Sequence, residues 1–426
     1  MKTYINPDRS LWPELTQRPE YEQLDLQNQV QSILDKVKEG GDRALLDLTK
    51  KFDHIDLPSI KVPVPKDQIT IPAVLSHAID LAFQNIEKFH RAQIEVAPEI
   101  ETMPGVTCWR KSIPIKSVGL YIPGGTAPLF STLLMLGLPA RLAGCHEIVV
   151  CSPPQPDGKL HSSLLYTAQK LGLENLFAVG GAQAIAAMSC GTTTIPRVDK
   201  IFGPGNQFVT KAKQLVSLKG TAIDMPAGPS EVAVLADQTA NPAFVAADLL
   251  SQAEHGPDSQ VVLATDSETL VGQVSDALER QLKVLPREKL ARESLSHSKA
   301  MVFSDLSEAM EFSNAYAPEH LIINTKDAAK WGQQVQNAGS VFLGAYAPES
   351  VGDYASGTNH TLPTNGHSRA YAGVSVDSFV KKVTFQNLTL EGLQSIGPAV
   401  ATMADAEGLE GHKNAVNIRL DQGAAE

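Results

Sequence analysis

A few short stretches hold side chains whose types and spacing suit chemistry. Gly203-Pro204-Gly205-Asn206-Gln207-Phe208 follows Lys200-Ile201-Phe202 and opens a helical pattern, the position in which a glycine-rich turn presents a phosphate to a helix N-terminus. Phe208 stands where a dinucleotide fingerprint carries its third glycine. Gly180-Gly181-Ala182-Gln183 and Tyr121-Ile122-Pro123-Gly124-Gly125-Thr126 occupy the same strand-to-helix position. One such turn needs no ligand to explain it. Three at the strand ends of one sheet converge on the edge where doubly wound folds bind ligands, and together they favour a phosphate-bearing one.

A second group is rich in histidine: His255, His297, His320, His360, His367 and His412 all fall after residue 254. Gln252-x-x-His255 sets an amide and an imidazole one helical turn apart, on one face if the helix from Pro242 runs that far. Asp353 and His412 could complete a four-ligand N/O set of the kind Zn2+ accepts, although no H-E-x-x-H occurs and a lone histidine is more often a hydrogen-bonded surface residue. Ala317-Pro318-Glu319-His320 precedes the apolar run Leu321-Ile322-Ile323. Neighbours in a regular strand point to opposite faces, but a turn at Pro318 lets Glu319 and His320 serve one pocket as two general bases.

The elements that must position these residues are α/β in grammar. Val30, Ile33, Leu34 and Val37 have helical spacing within a stretch from Tyr21 to about Phe52, interrupted at Gly40-Gly41-Asp42, and a second helical stretch covers roughly 71–94. Val106 to Trp109 and Ile113 to Ile115 read as short strands. From Lys116 on, β-branched runs alternate with helical patterns: strands at 118–122, 147–151, 176–179 and 200–202, then a second series near 232–235, 261–265, 301–303, 321–324 and 341–343. Such alternation predicts parallel sheets with helices on both faces. After Leu343 the strands fade, and 389–426 reads as short helices with a polar end. The fold class expected is therefore two doubly wound, Rossmann-like α/β domains, a helical N-terminal region and a small helical C-terminal arm.

Composition limits the partners. At 426 residues the chain exceeds one domain of about 150 residues, and 43% hydrophobic with 19% charged content excludes a disordered chain. A formal charge of -11 with no block of basic residues argues against nucleic acid or an anionic membrane. The most apolar stretch, Ala127 to Ala140, is too short for the roughly 20 residues that span a bilayer. Met1 to Asp8 has no apolar leader, which reads as cytoplasmic. Cys108, Cys145, Cys151 and Cys190 form no C-x-x-C pair, consistent with reduced thiols.

Taken together, the sequence resembles the histidinol dehydrogenase family from about residue 25 to 420. The likeness is carried by Gly119-Leu120-Tyr121-Ile122-Pro123-Gly124-Gly125-Thr126-Ala127-Pro128, Gly203-Pro204-Gly205-Asn206, Ala227-Gly228-Pro229-Ser230-Glu231 and Ser251-Gln252-Ala253-Glu254-His255-Gly256-Pro257. Ala317-Pro318-Glu319-His320-Leu321, the run from Val351 to His360, and Glu407-Gly408-Leu409-Glu410-Gly411-His412 follow in the family's order. The resemblance implies Zn2+ on Gln252, His255, Asp353 and His412, and NAD near Tyr121, Gln183 and Asn206. It implies substrate among Ser230, Gln252, His255, His320, Asp353, Glu407 and His412, with Glu319 and His320 as the catalytic pair. The implied reaction is oxidation of L-histidinol through L-histidinaldehyde to L-histidine with two NAD+, the last step of histidine biosynthesis. The imperfect fingerprint then reads as a shallow NAD site from which two molecules exchange per turnover. His360 and His367 receive no role. A homodimer with shared active sites is implied, the arm 377–426 reaching the partner. The division implied is a segment 1–20, a discontinuous α/β domain of 21–115 and 233–376 with the metal and catalytic residues, and an NAD-binding domain of 116–232. The competing reading is a zinc-dependent hydrolase on an α/β scaffold, with Glu319 activating water.

Overall fold

Strands Glu231–Ala236, Gln260–Thr265 and His320–Asn324 are buried at every residue, the consequence of apolar runs covered on both faces. A computed structural model describes residues 1–18, 23–65, 67, 69–124, 128–225 and 228–423. Tyr21, the Gly125, Thr126 and Ala127 of the glycine turn, and Ala227 lie outside the described residues. The chain divides into two compact units, Met1–Gln93 with Ile115–Phe379, and Ile94–Pro114 with Val380–Glu426.

The first unit holds two six-stranded sheets. In one, the order is Lys61–Val62, Asn175–Ala178, Glu147–Ser152, Ser117–Tyr121, Lys200–Phe202, Ala222–Ile223, parallel throughout except for the antiparallel edge at Lys61–Val62. In the other, the order is Lys2–Ile5, Lys299–Val302, Gln260–Thr265, Glu231–Ala236, His320–Asn324, Ser340–Leu343, all parallel. Numbered by their own βα units, the sheets share the order 3-2-1-4-5, each extended at one edge by a strand from the N-terminal region. That order is one half of a doubly wound fold.

Helices cover both faces of each sheet. Leu133, Leu136 and Leu164 join Val118, Leu120 and Val150 in one core, and Val30, Val37 and Leu45 join Val149, Ile185 and Val209 in another. Helix Gln23–Phe52 packs on Gly181–Cys190 and Gln207–Ser217, and Ala73–Arg91 packs on Phe130–Ala143. The sequence grouped 21–115 with 233–376; the packing instead gives the helices of 23–91 to the sheet of 117–223, because their apolar faces are shared with it. The segment 1–20 is likewise no mere extension: Lys2–Ile5 is a strand of the second sheet, and Trp12 meets Phe312 edge to face at 5.4 Å between centroids. Gly41, at φ 54°, takes a backbone conformation open to glycine and divides Gln23–Phe52 where the pattern broke.

The second unit is an antiparallel sheet of Ile100–Met103, Val106–Pro114 and Val380–Leu388, with helices Leu390–Ala406 and Glu410–Gly423 packed on each other. The expected two short strands at 106–115 are one. The arm expected to be helical from 377 begins with a strand over Val380–Leu388, whose Phe385 stacks on Trp109 at 5.4 Å. No helix among the described residues is long and apolar enough to cross a membrane.

Candidate active site

Tyr121, Gln183 and Asn206 meet at the carboxyl edge of the 117–223 sheet, around a cavity of about 840 Å³ that is also lined by Asn28, Lys36 and Lys51 of helix Gln23–Phe52. The glycine turns converge there. Gly203 has φ 125°, and a Cβ at that position would overlap the carbonyl oxygen of Tyr121. A Cβ on Gly180 would stand 2.6 Å from that of Pro153. Asn206 caps helix Gln207–Ser217 by accepting from the N–H groups of Phe208 and Val209, each at 3.1 Å. Tyr121 accepts the N–H of Gly181 at 3.1 Å, and burial pushes its phenol up to about 12, so it stays neutral. Beneath the loop, Lys213 and Asp224 form a buried ion pair that takes both backbone groups of Gly203: its N–H donates to Asp224 Oδ2 at 2.8 Å, and Lys213 Nζ donates to its carbonyl at 2.8 Å. Neither charged residue stood out in the sequence.

A second constellation lies at the amino edge of the other sheet. The register Val232 to His320 sets Glu231 beside Glu319. Glu231 N–H donates to Glu319 Oε2 at 2.8 Å, and His320 Nδ1 lies 3.6 Å from that same oxygen. Nδ1 is also 3.1 Å from the carbonyl oxygen of Glu231 and 2.9 Å from Gln252 Nε2, which itself donates to that carbonyl at 3.0 Å. His320 Nε2 faces Asp353 Oδ1 at 3.3 Å. Glu319 and His320 thus lie side by side at one strand end, His320 opening the strand and Glu319 just before it.

Gln252 closes helix Pro242–Ala253, started by Asn241, which accepts from Ala243 N–H, and by Pro242 at its first position. Contrary to the expected shared helical face, the helix stops at Ala253 and His255 lies beyond its cap, turned by its own N–H donating to Gln252 O at 3.2 Å. Its charge still couples to that of Asp353. Asp353 is one turn into the short helix Glu349–Tyr354, and its carbonyl accepts from His360 Nδ1 at 2.8 Å. His360 thereby acquires a structural role. Ser230 is half-buried next to Glu231. Glu407 and His412 belong to the second unit and are exposed, Glu407 at the cap of Leu390–Ala406 and His412 in Glu410–Gly423.

The electrostatics separate these groups. Burial pushes Glu319 up to about 8, with the charge of His320 opposing. For His320, burial favours the neutral ring, but Glu319, Glu349 and Asp353 outweigh it and hold the imidazole well above its ordinary value. Burial also raises Asp353, yet its contact with His320, and the charges of His320, His360 and His255, hold it below the usual carboxylate range. Desolvation by the surrounding protein lowers His255, although the residue is exposed, and despite Asp353. Two further carboxyls escaped the sequence reading: Glu349, whose charge acts on His320 and which burial pushes up to about 8, and Asp248, which acts on Glu349 and is pushed by burial up to about 7.

The residues suit a divalent cation. Gln252 Oε1 and His320 Nε2 are buried without a hydrogen-bond partner among the described residues, which a ligand would satisfy. The donors on hand, an amide oxygen, imidazole nitrogens and a carboxylate, match the borderline preference of Zn2+. No three His, Cys, Asp or Glu side chains among the described residues are grouped as a ready metal cage.

Two doubly wound sheets, one with a cavity over glycine turns and the other with a buried carboxyl beside an imidazole, fit an α/β oxidoreductase. Comparison with known proteins narrows this. The family model for histidinol dehydrogenase matches residues 16–420. The chain is 56% identical over 425 residues to the histidinol dehydrogenase of Bacteroides fragilis (strain YCH46), covering 99% of both. It is 51% identical over 412 residues to the chloroplastic histidinol dehydrogenase of Arabidopsis thaliana, covering 95% of this chain and 88% of that one. The crystal structure of histidinol dehydrogenase from Elizabethkingia anophelis matches with a TM-score of 0.95 at 53% identity, covering 99% of this chain and 98% of that one. The chain belongs to the histidinol dehydrogenase family, and is an NAD-dependent oxidoreductase. The hydrolase alternative is thereby overturned.

Proposed function

We propose that the chain oxidises L-histidinol to L-histidinaldehyde and then to L-histidine, ending histidine biosynthesis. The observation that carries this reading is the buried Glu319 and His320, two bases of different kind held 3.6 Å apart. NAD+, bound at Tyr121, Gln183 and Asn206, supplies the hydride acceptor for each step. Gln252, His255 and Asp353, with His412, would hold Zn2+, which when bound would supply a template for the substrate.

The protein's part is proton chemistry. In the first step the alcohol loses a hydride from carbon and a proton from oxygen. In its neutral form His320 takes that proton at Nε2: with Nδ1–H donated to Glu231 O, Nε2 carries the lone pair, and the carboxylates around it stabilise the imidazolium that results. The aldehyde must then add water before it can lose a second hydride. Glu319 removes the proton from that water, and a carboxyl raised to about 8 is a better base than an exposed one. The Glu231 carbonyl, accepting Nδ1–H, orients the ring, and the Gln252 amide, donating to the same carbonyl, holds that acceptor in place. Ser230 and Glu407 hold the substrate.

We place the enzyme in the cytoplasm and as a homodimer whose Glu407 and His412 complete the partner's site. The exposed apolar side chains of the second unit, among them Val400, Met403, Leu409 and Ile418, support an interface there. The four free cysteines suit a reducing compartment. The test is NADH absorbance on mixing with L-histidinol and NAD+. Two NADH should form per histidinol, stop on removal of metal verified by elemental analysis, and return with Zn2+. Formation of no NADH, or full turnover by metal-free protein, refutes the reading.

A further inference from the structure

We infer that Arg18 and Glu231 form a positioning unit that sets both members of the catalytic pair; the inference rests on the reading of Glu319 and His320 as that pair. Glu231 is fully buried, yet every polar atom it carries is engaged. Its Oε1 accepts from Arg18 Nε at 2.9 Å and from Asn365 N–H at 2.7 Å, and its Oε2 accepts from Arg18 Nη2 at 2.7 Å. Its N–H holds Glu319 Oε2, and its carbonyl lies against His320 Nδ1 and Gln252 Nε2. One residue thus joins an arginine fork on its side chain to the two bases on its backbone.

Arg18 is held in turn. Its guanidinium carbon sits 3.7 Å over the Tyr316 ring, whose hydroxyl donates to Gln260 Oε1 at 2.9 Å in the neighbouring strand. Nη1 donates to Thr16 O at 2.9 Å, and Nη2 approaches Ala317 O, in the turn that leads into Glu319, at 3.5 Å. The clamp therefore spans both strand ends that meet at the site. A buried ion pair adds little net stability over apolar side chains of similar volume. What a bidentate fork adds is a fixed direction and register, which a single ammonium does not provide.

The experiment compares Arg18→Ala, Arg18→Lys and Glu319→Gln as full-length enzyme, measuring folded fraction by circular dichroism, kcat, and KM for NAD+. A displacement of the pair by about 1 Å corresponds to a kcat loss of about 100-fold in Arg18→Ala, with KM for NAD+ within about twofold. Millimolar guanidinium should restore part of that kcat and none in Glu319→Gln. Arg18→Lys should remain about tenfold below the parent, lacking the fork. Folded Arg18→Ala with the parent's kcat, or a loss equal to the unfolded fraction and unmoved by guanidinium, overturns the inference. If Arg18→Ala does not fold, Arg18→Lys decides: parental kcat overturns the positioning role, and a loss in kcat at constant KM supports it. Should Glu319→Gln be impaired while Arg18→Ala is not, only the positioning role falls; full turnover by Glu319→Gln removes the catalytic pair itself.

Discussion

Glu319→Gln is expected to separate the two oxidations. The amide oxygen can keep the 2.8 Å bond from Glu231 N–H, so the side chain stays in place while the base is lost. General-base assistance is worth about 10²–10⁴-fold, and that is the slowing expected for the aldehyde step. The alcohol step, which uses His320 Nε2, should change far less, although loss of the Glu319 charge lets the pKa of His320 fall. The parent enzyme has a matching pH signature. With the carboxyl raised to about 8, about one-tenth is ionised at pH 7 and about nine-tenths at pH 9, so the aldehyde step should quicken about tenfold between them. In Glu319→Gln that rise should vanish. The assay is a single turnover with enzyme in excess, following NADH absorbance at both pH values. The parent should give two NADH per histidinol; the variant should give one in a fast phase and the second slowly. Equal slowing of both hydrides, or an unaltered pH rise in the variant, refutes the division of labour.

Gly203→Ala places a methyl against Tyr121 O at φ 125° and should cost about 2 kcal/mol or more, raising the Kd for NAD+ while leaving histidinol binding unchanged; an unchanged Kd for NAD+ by fluorescence titration contradicts the role given to that turn. Asp248→Asn tests a buried carboxyl. Burial raises Asp248 from 3.8 to about 7, so the folded chain holds a proton that the unfolded one releases, and stability is lost as pH rises from about 4 to 7 before levelling off. The advantage of the asparagine should therefore grow by about 2 to 3 kcal/mol between pH 5 and pH 8, seen as a rising difference in thermal midpoint. A constant difference would mean that the carboxyl is solvated. For the shared site, Asp353→Ala and His412→Ala, each inactive alone, are unfolded and refolded together in equal amounts: roughly a quarter of the parental activity should return if the second unit acts in trans, and none if each chain completes its own site.

The elements buried on both faces were legible in the sequence because their signal is local. Lys200–Phe202 appears at its expected bounds, and Glu147–Ser152, Gln260–Thr265 and His320–Asn324 lie within a residue of theirs. Of the edge strands, Ser340–Leu343 was legible, but others were not. Lys2–Ile5 has only one half-buried residue, and Val380–Leu388 finds its partner in Val106–Pro114, more than 260 residues earlier, so no local period announces it. At the site, Tyr121, Gln183, Asn206, Gln252, Glu319, His320 and Asp353 belong to short phrases that carry their own context. Arg18, Lys213, Asp224, Asp248 and Glu349 do not. An isolated charge in a helix or tail reads as solvated, and its burial becomes apparent only when strands far apart in sequence are brought side by side.

The repeated strand order bears on how opposite charges are kept apart. On the 117–223 sheet the cavity lies at the carboxyl edge, toward which helices such as Gln207–Ser217 present their first turns and the positive ends of their dipoles. On the other sheet the pair lies at the amino edge, where helix Pro242–Ala253 finishes just past Gln252 and presents its negative end. One copy of the architecture is thus polarised to attract an anion such as a pyrophosphate, and the other to favour cationic species such as a metal ion or an imidazolium. A single topology used at opposite ends thus gives its two edges backbone potentials of opposite sign, before any side chain adds to them.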